Sequence, residues 1–243
     1  MPTKKRLDVY VLEAGFAQTR EKAQALIMAG RVLVNGTKSD KPGYTVPDGS
    51  RVEVTSARDY VSRGGTKLAH ALDTLAIDVR GAVALDVGAS TGGFTDCLLQ
   101  RGASKAYALD VGYGQIDYAL RKDPRVVVME RVNAHHHFDL PEKADVCVAD
   151  VSFISLTQVM PSALEWVKDG GSLVGLVKPQ FEAGREVVPR GGVVKDPMVH
   201  GQVLSKIVVW VASQEGLRLK GITPSPIEGA DGNREFFVWV VKE

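Results

Sequence analysis

Ala84-Leu85-Asp86-Val87-Gly88-Ala89-Ser90-Thr91-Gly92-Gly93-Phe94-Thr95-Asp96 is the stretch whose reading decides the fold. It begins as a short apolar strand, breaks at Gly88 and resumes as a helix near Phe94. A strand, a glycine loop and a helix in that order make a cradle for a small ligand. Glycine lets backbone approach the ligand closely, and a helix start offers N–H groups with no partner inside the helix. About twenty residues on, a second apolar strand, Ala106-Tyr107-Ala108-Leu109, ends in Asp110, placed to accept hydrogen bonds from a ribose diol.

Three readings of this stretch compete. The dinucleotide fingerprint G-x-G-x-x-G is matched badly, because Ser90 stands at its second glycine position. A methyl-donor pocket for S-adenosylmethionine, whose sulfonium and amino acid need carboxylates and small residues, fits better. An ordinary strand-to-helix turn of an α/β protein shows the same pattern. Taken as a donor pocket, the stretch supplies Asp86, Gly88, Ala89, Ser90, Thr91, Gly92, Gly93 and Phe94 as candidate contacts, with Asp110.

Working outward, strands and helices alternate from Val83 onward. Strands are expected at 83–87, 105–110, 125–129, 145–150, 171–177 and 217–223, with a last one from Glu235 to Val241. Helices are expected at 94–101, 115–121, 156–168 and 198–215. This is the pattern of a parallel sheet wound on both faces. Ligands of such sheets sit beyond the carboxyl ends of the strands, where strand order reverses. Strands ending in Asp86, Asp110, Asp150 and Lys178 therefore aim their last residues at one crevice.

The N-terminal part reads differently. A short helix over 6–14 carries Leu7, Val11 and Ala14 on one side, and Thr19 N-caps a second with Ala23, Leu26 and Ile27 inward. Val32-Leu33-Val34 then runs into Asn35-Gly36, the strongest short hairpin signal, and another strand follows at Arg51-Val52-Glu53-Val54. Arg58 to Gly65 is the linker, and Thr66 to Leu75 is helical. The expected domains are 1–59 and 66–243, joined by 60–65.

Arg20-Glu21-Lys22-Ala23 and Ala29-Gly30-Arg31-Val32-Leu33-Val34-Asn35-Gly36, in that setting, resemble an S4 RNA-binding domain. Cations on a rigid helix displace the counterions condensed on nucleic acid, whatever the family. Lys5, Arg6, Arg20, Lys22, Arg31 and Arg63 are the candidate RNA contacts. A small accessory domain that binds another protein is the plainer alternative.

Lys67, Asp150, Lys178 and Glu235 each stand at the start or end of an element on one rim. Singly, each reads as a rim ion pair; four at matching element ends form a candidate tetrad. The chemistry suits methylation of a ribose hydroxyl, a poor nucleophile whose proton a base must take during in-line attack. A lysine serves only if its pKa falls toward neutrality, which burial and a second nearby cation produce. Cys147 is three residues before Asp150 on an apolar strand and reads as core rather than as a nucleophile.

With those residues in hand, the whole chain, from about Lys5 to Val241, resembles the TlyA (hemolysin A) family, S4-domain proteins with an FtsJ-like 2′-O-methyltransferase domain. The match is carried by Tyr60-Val61-Ser62-Arg63-Gly64-Gly65-Thr66-Lys67-Leu68, the Asp86 to Asp96 loop, Ala149-Asp150-Val151-Ser152-Phe153-Ile154-Ser155-Leu156 and Val177-Lys178-Pro179-Gln180-Phe181-Glu182. The resemblance implies an α/β, Rossmann-like, S-adenosylmethionine-dependent methyltransferase domain, its sheet mostly parallel with the last strand antiparallel, behind a small α+β S4 domain. It implies methylation of a cytidine ribose of ribosomal RNA, with the large subunit favoured over the small. Lys67, Asp150, Lys178 and Glu235 become the Lys-Asp-Lys-Glu tetrad, with Lys178 the favoured base and Asp150 also facing the donor. Asn133 is placed against the donor's adenine.

Composition bounds the alternatives. Hydrophobic content is 44% and charged content 24%, as in soluble globular proteins. Residues 1–63 hold 11 Lys and Arg against 7 Asp and Glu, whereas the remainder is net acidic, which suits an N-terminal surface for a polyanion. Two cysteines exclude a disulfide framework and a four-cysteine zinc site, and point to a reducing cytoplasm. His135-His136-His137 reads as a loop wall rather than a metal site, because three successive side chains cannot face one ion from a strand or helix. Arg185 to Lys195 reads as a mobile basic loop, and a monomer is favoured. Two other functions compete with the enzyme: a membrane-lytic protein, as the hemolysin name suggests, and a non-catalytic ribosome-assembly factor. No apolar run reaches the roughly 18 residues that span a bilayer, and no signal-peptide core follows the basic start.

Overall fold

A two-residue strand β1 (Lys5–Arg6) leads directly into helix α1 (Leu7–Glu13), and helix α2 (Arg20–Met28) follows. Thr19 caps α2 as its position predicts, its Oγ1 accepting from the Lys22 N–H at 3.2 Å. Strands β2 (Val32–Val34) and β3 (Thr37–Ser39) form the Asn35-Gly36 hairpin, with φ of +52° and +77° at the turn residues. A left-handed pair is what a two-residue turn needs to match strand twist. Strand β4 (Thr45–Val46) pairs with β1, and β5 (Val52–Val54) completes a three-stranded sheet in the order β3-β2-β5. Leu7, Val11, Ala23, Ile27, Val32, Val34, Val46 and Val52 make the core.

The computed structural model describes residues 5–28, 30–54, 60–184 and 186–243, and the chain divides into two compact units, Met1–Asp59 and Tyr60–Glu243. Arg58 and Asp59 of the expected linker and Arg185 of the expected loop lie outside the described residues.

The second unit opens with helix α3 (Arg63–Thr74), so part of the expected linker is helix. Gly65 is a packing residue there rather than a flexible joint: a Cβ would sit 2.2 Å from the Tyr60 ring. There follow β6 (Val83–Val87), α4 (Gly93–Gln100), β7 (Lys105–Asp110), α5 (Tyr118–Lys122), β8 (Val126–Glu130) and β9 (Ala144–Ala149). The chain then makes α6 (Leu156–Glu165), β10 (Val167–Val177), α7 (Pro179–Glu182), α8 (Pro197–Ala212), β11 (Leu217–Pro224) and β12 (Phe236–Lys242). Helix α5 starts three residues late because Asp117 is its N-cap, its carboxylate accepting from the Ala119 N–H.

The seven strands run in the order β11-β12-β10-β9-β6-β7-β8. Strands β10, β9, β6, β7 and β8 are parallel neighbours, and β12 inserts antiparallel between β10 and β11. Order therefore reverses between β6 and β9, which fixes where a ligand crevice opens. The two-residue period of the strands splits the core. Leu85, Val87, Cys147 and Ala149 pack with α6 and α8. Ala84, Val146 and Val148 pack on the other face with Leu68 and Leu72 of α3 and Leu98 of α4.

Candidate active site

Beyond the carboxyl ends of β6, β7 and β9 lies a cavity of 490 Å³, lined among others by Gly88, Ser90, Asp110, Gln115, Asn133, Asp150 and Phe153. That volume is in the range of small-ligand sites. A second cavity of 180 Å³ adjoins it and shares Gly88, Ser90 and Asp150. Its other walls include Arg63, Lys67, Ala89, Thr91, Gly93, Phe94 and Ala230.

The glycine loop is shaped by backbone contacts. Gly88 and Ala89 both donate to the Leu109 carbonyl, at 2.8 and 3.0 Å. Gly88 has φ +83°, and a Cβ on it would lie 2.4 Å from the Asp150 carbonyl oxygen, so only glycine lets β6 end this close to Asp150. Ser90, at the fingerprint's second glycine position, takes φ +49°, a conformation allowed but uncommon for a residue with a side chain. Its N–H donates to Asp110 Oδ2 at 2.7 Å, and the Gly112 N–H donates to Asp110 Oδ1 at 2.7 Å. Asp110 thus faces the larger cavity from a fixed orientation, with lone pairs left for a ligand's hydroxyls. Asn133 lines the same cavity, its Oδ1 accepting from the His135 N–H at 3.0 Å.

Two expected donor contacts stand elsewhere. Asp86 is fully buried and lines neither cavity. The pleat turns its side chain toward α4, where Thr95 Oγ1 donates to it at 2.6 Å. Burial pushes its carboxyl up to about 7, against the Thr95 hydrogen bond, and the charges of Asp150 and Asp110 add to the rise. Gly92 also lies off both cavities; with φ +92° it caps α4. The remaining loop residues, Ala89, Thr91, Gly93 and Phe94, line the smaller cavity.

The four tetrad residues form two ion pairs. Lys67 Nζ is 2.5 Å from Glu235 Oε2, and both side chains are nearly buried. Lys178 Nζ is 2.5 Å from Asp150 Oδ1 and donates to Ser152 Oγ at 2.9 Å. Lys67 and Asp150 are walls of the same 180 Å³ cavity, so one member of each pair borders one small space. Local structure delivers each group. Asp150 is the first residue past β9, Lys178 the first past β10, where Pro179 starts α7, and Glu235 the last before β12. Lys67 is one turn into α3.

Sequence reasoning missed several neighbours. Phe153 has φ +65° and is 90% exposed, yet lines the larger cavity and packs on Phe181 with ring centroids 4.9 Å apart. A bulky residue in left-handed backbone is strained, and no sequence period announces it. Glu182 is buried, accepting from Ser155 Oγ and the Leu156 N–H, both at 2.6 Å. It ties the turn after Lys178 to the start of α6, the helix that follows the Asp150 loop. The sequence Lys178-Pro179-Gln180-Phe181-Glu182 held that signal only as a carboxylate beside an aromatic.

Other candidates resolve simply. Cys147 is buried in the core, and burial pushes its thiol far up. His137 pairs with Glu165 at 2.8 Å and Asp139 at 3.4 Å; the Glu165 hydrogen bond holds its pKa up. Among the described residues no three His, Cys, Asp or Glu side chains gather as a metal site. In the first unit, Arg6 and Arg20 converge on Asp8, while Lys22 Nζ donates to Gln18. Lys5 pairs with Glu13, and Arg31 is half-buried. Arg63 belongs to the second unit, where its guanidinium donates to the Glu228 carbonyl at 2.6 Å.

Residues 60–242 match the FtsJ-like methyltransferase model and residues 5–52 the S4 domain. The chain belongs to the FtsJ-like methyltransferase family. A Mycobacterium tuberculosis relative named 16S/23S rRNA (cytidine-2′-O)-methyltransferase TlyA is 44% identical, spanning 99% of this chain and 91% of its own. Hemolysin A of Brachyspira hyodysenteriae is 43% identical over 95% of this chain and 97% of its own. A solved structure of a hemolysin-named protein from Streptococcus thermophilus superposes with TM-score 0.75 at 41% identity, covering 98% of this chain and 88% of that one. The two family models thus fall on the two compact units of this chain, and among the described residues no helix is long and apolar enough to cross a membrane.

Proposed function

We propose that this FtsJ-like methyltransferase transfers the methyl group of S-adenosylmethionine to the 2′-hydroxyl of a cytidine in ribosomal RNA, that of the large subunit first. The observation that carries the reading is that Lys67, paired with Glu235, and Asp150, paired with Lys178, both border one small cavity that opens beside the larger one. The donor set fits the cofactor. Asp110 and Asn133 offer hydrogen-bond acceptors for a ribose diol and an adenine amino group, and Asp150 stands between the two cavities as a counter-charge for a sulfonium. When bound, the cofactor supplies an electrophilic methyl group.

The protein supplies alignment and proton removal. Lys178, oriented by Asp150 and Ser152, acts in its neutral form, its ammonium proton first lost to solvent, and takes the proton of the 2′-hydroxyl as its oxygen attacks in line. Lys67, held by Glu235, faces the same space and stabilises the charge growing on that oxygen. Phe153 presents an exposed ring at the cavity mouth on which a base can stack, a contact available to any nucleobase. Half-exposed Arg6 and Arg20, with Lys22, meet phosphates at the S4 unit.

The test is to incubate the protein with tritiated S-adenosylmethionine and ribosomal subunits from cells lacking its gene, then digest the RNA and identify the labelled nucleoside by mass spectrometry. The expected product is 2′-O-methylcytidine. Label on a base, or none on either subunit's RNA, would sink the proposal.

A further inference from the structure

We propose that Asn233 is a positioning residue that latches the segment 186–195 to the turn carrying Glu235, so that Arg190 and Lys195 grip RNA phosphates flanking the target. The inference rests on the function proposed above and adds to it an RNA-gripping surface outside the S4 unit.

The segment joins α7 to α8 and exposes Glu186, Val187, Arg190 and Lys195. A ten-residue connection with this composition is expected to move freely, yet its far half is pinned. Asn233 is wholly buried, and both ends of its amide are committed to the segment. Its Oδ1 accepts from the Val194 N–H at 2.9 Å, and its Nδ2 donates to the Gly192 carbonyl at 2.9 Å. Val194 is itself buried, and its carbonyl lies 2.9 Å from His200 Nε2 on α8. A second turn is fixed by the Gly192 N–H donating to the Pro189 carbonyl at 2.9 Å.

Asn233 faces the catalytic side as well. Its carbonyl accepts from the Gly229 N–H at 2.8 Å, closing the turn 229–233. Two residues later comes Glu235, the partner of Lys67. One buried amide therefore sets the place of the basic segment relative to the tetrad. An ordered segment meets RNA without paying for its ordering at that moment, so the latch should act on RNA affinity. Asn233 lines neither cavity, so donor binding should not feel it. A merely structural residue would instead lower folding stability, donor binding and turnover together.

The test compares the full-length protein with Asn233→Asp, Asn233→Ala and the double variant Arg190→Ala/Lys195→Ala. The double variant changes only exposed side chains. Asn233→Asp keeps the acceptor for Val194 but sets a carboxylate oxygen against the Gly192 carbonyl. RNA binding is measured by filter retention across a salt series, donor binding by calorimetry, and RNA KM and kcat by label transfer. For the double variant, about two fewer phosphate contacts should flatten the slope of log affinity against log salt by about 1.8 and raise RNA KM about tenfold. Asn233→Asp should raise RNA KM in the same direction, with donor Kd and kcat within about twofold of the parent. An unchanged salt slope in the double variant overturns the proposal. So does an Asn233→Asp protein whose donor Kd and kcat worsen while RNA KM stays put. If the parent transfers no methyl group to any RNA, the functional reading fails instead, and the salt series still decides whether the segment holds nucleic acid.

Discussion

Asp8 in the first unit and Asp86 in the second are both wholly shielded from solvent, and they titrate in opposite directions. Asp8 gathers donors: Arg6 through Nε and Nη2 at 3.0 and 2.9 Å, Arg20 Nε at 3.1 Å, Gln24 at 3.0 Å and the Val9 N–H at 3.0 Å. The Arg6 hydrogen bond, ahead of the opposing effect of burial, holds its carboxyl well below the usual range. Asp86 has the Thr95 hydroxyl at 2.6 Å and sits near two other carboxylates, so burial wins. The difference teaches that hiding a carboxylate says little about its charge; its donors decide. The tetrad uses the first arrangement twice, giving each acid its own lysine.

The largest expected effect breaks one of those tetrad pairs. Lys178→Ala leaves Asp150 without its lysine and removes the assigned base. Methyl transfer should fall by about a thousandfold or more, while melting temperature and RNA affinity stay close to the parent. Turnover retained within tenfold, measured by label transfer to ribosomal subunits, would take Lys178 out of the mechanism.

The next sharpens the contrast directly. Asp86 has a folded-state pKa raised to about 7 against 3.8 for the free group, so the folded protein binds its proton more tightly than the unfolded chain. The stability that follows is fully present below about pH 4 and is lost as pH rises through about 7, by at most about 4 kcal/mol. Asp86→Asn should abolish that decline, so the variant's stability relative to the parent should rise steadily from about pH 4 to about 7 in urea unfolding and level off above. Parallel curves across that window would show that Asp86 stays ionised.

Asp8 behaves oppositely. Its depressed folded-state pKa contributes stability above the unfolded value, and that stability is lost as pH falls below about 4. Asp8→Ala should cost the first unit about 2 kcal/mol near neutral pH, less than a fully buried pair because both arginines are about half exposed. RNA affinity should drop with it, since Arg6 and Arg20 lose their common anchor. Unfolding curves of the full-length protein and an RNA titration check both.

The smallest effect concerns the exposed cations of α2. Arg20→Ala combined with Lys22→Ala should weaken RNA binding about tenfold and flatten its salt dependence, with no change in kcat at saturating RNA. An unchanged salt slope would move the docking face elsewhere on the S4 unit.

Much of this was legible in the sequence, for identifiable reasons. The alternating strands of the second unit announced themselves because buried parallel strands are nearly continuous apolar runs. Asn35-Gly36 placed the hairpin because few residue pairs tolerate two left-handed positions. The four candidate tetrad residues stood out because charged residues rarely terminate such strands. Asp86 faces α4 rather than either cavity because a strand's pleat, and not its rank in a motif, decides which way a side chain faces. Gly64 and Gly65 were taken for a linker because glycine looks the same whether it grants freedom or makes room; the Tyr60 ring beside Gly65 tells the two apart. Strands β1, β3 and β4 were invisible, being two or three residues long and, for β3, made of Thr37, Lys38 and Ser39. Phe153, Glu182 and Asn233 act through contacts between segments distant in the chain, which no local pattern encodes.

The insertion of β12 between β10 and β11 bears on how the molecule comes to be folded. Strand β11 joins the sheet only through β12, although β11 precedes it in the chain. The pairing joins segments separated by tens of residues, the kind of closure that slows folding. Glu235 stands immediately before β12, so the acid that pairs with Lys67 is placed by that strand. The Lys67–Glu235 pair therefore depends on a long-range strand pairing, whereas Asp150 and Lys178 end the neighbouring parallel strands β9 and β10.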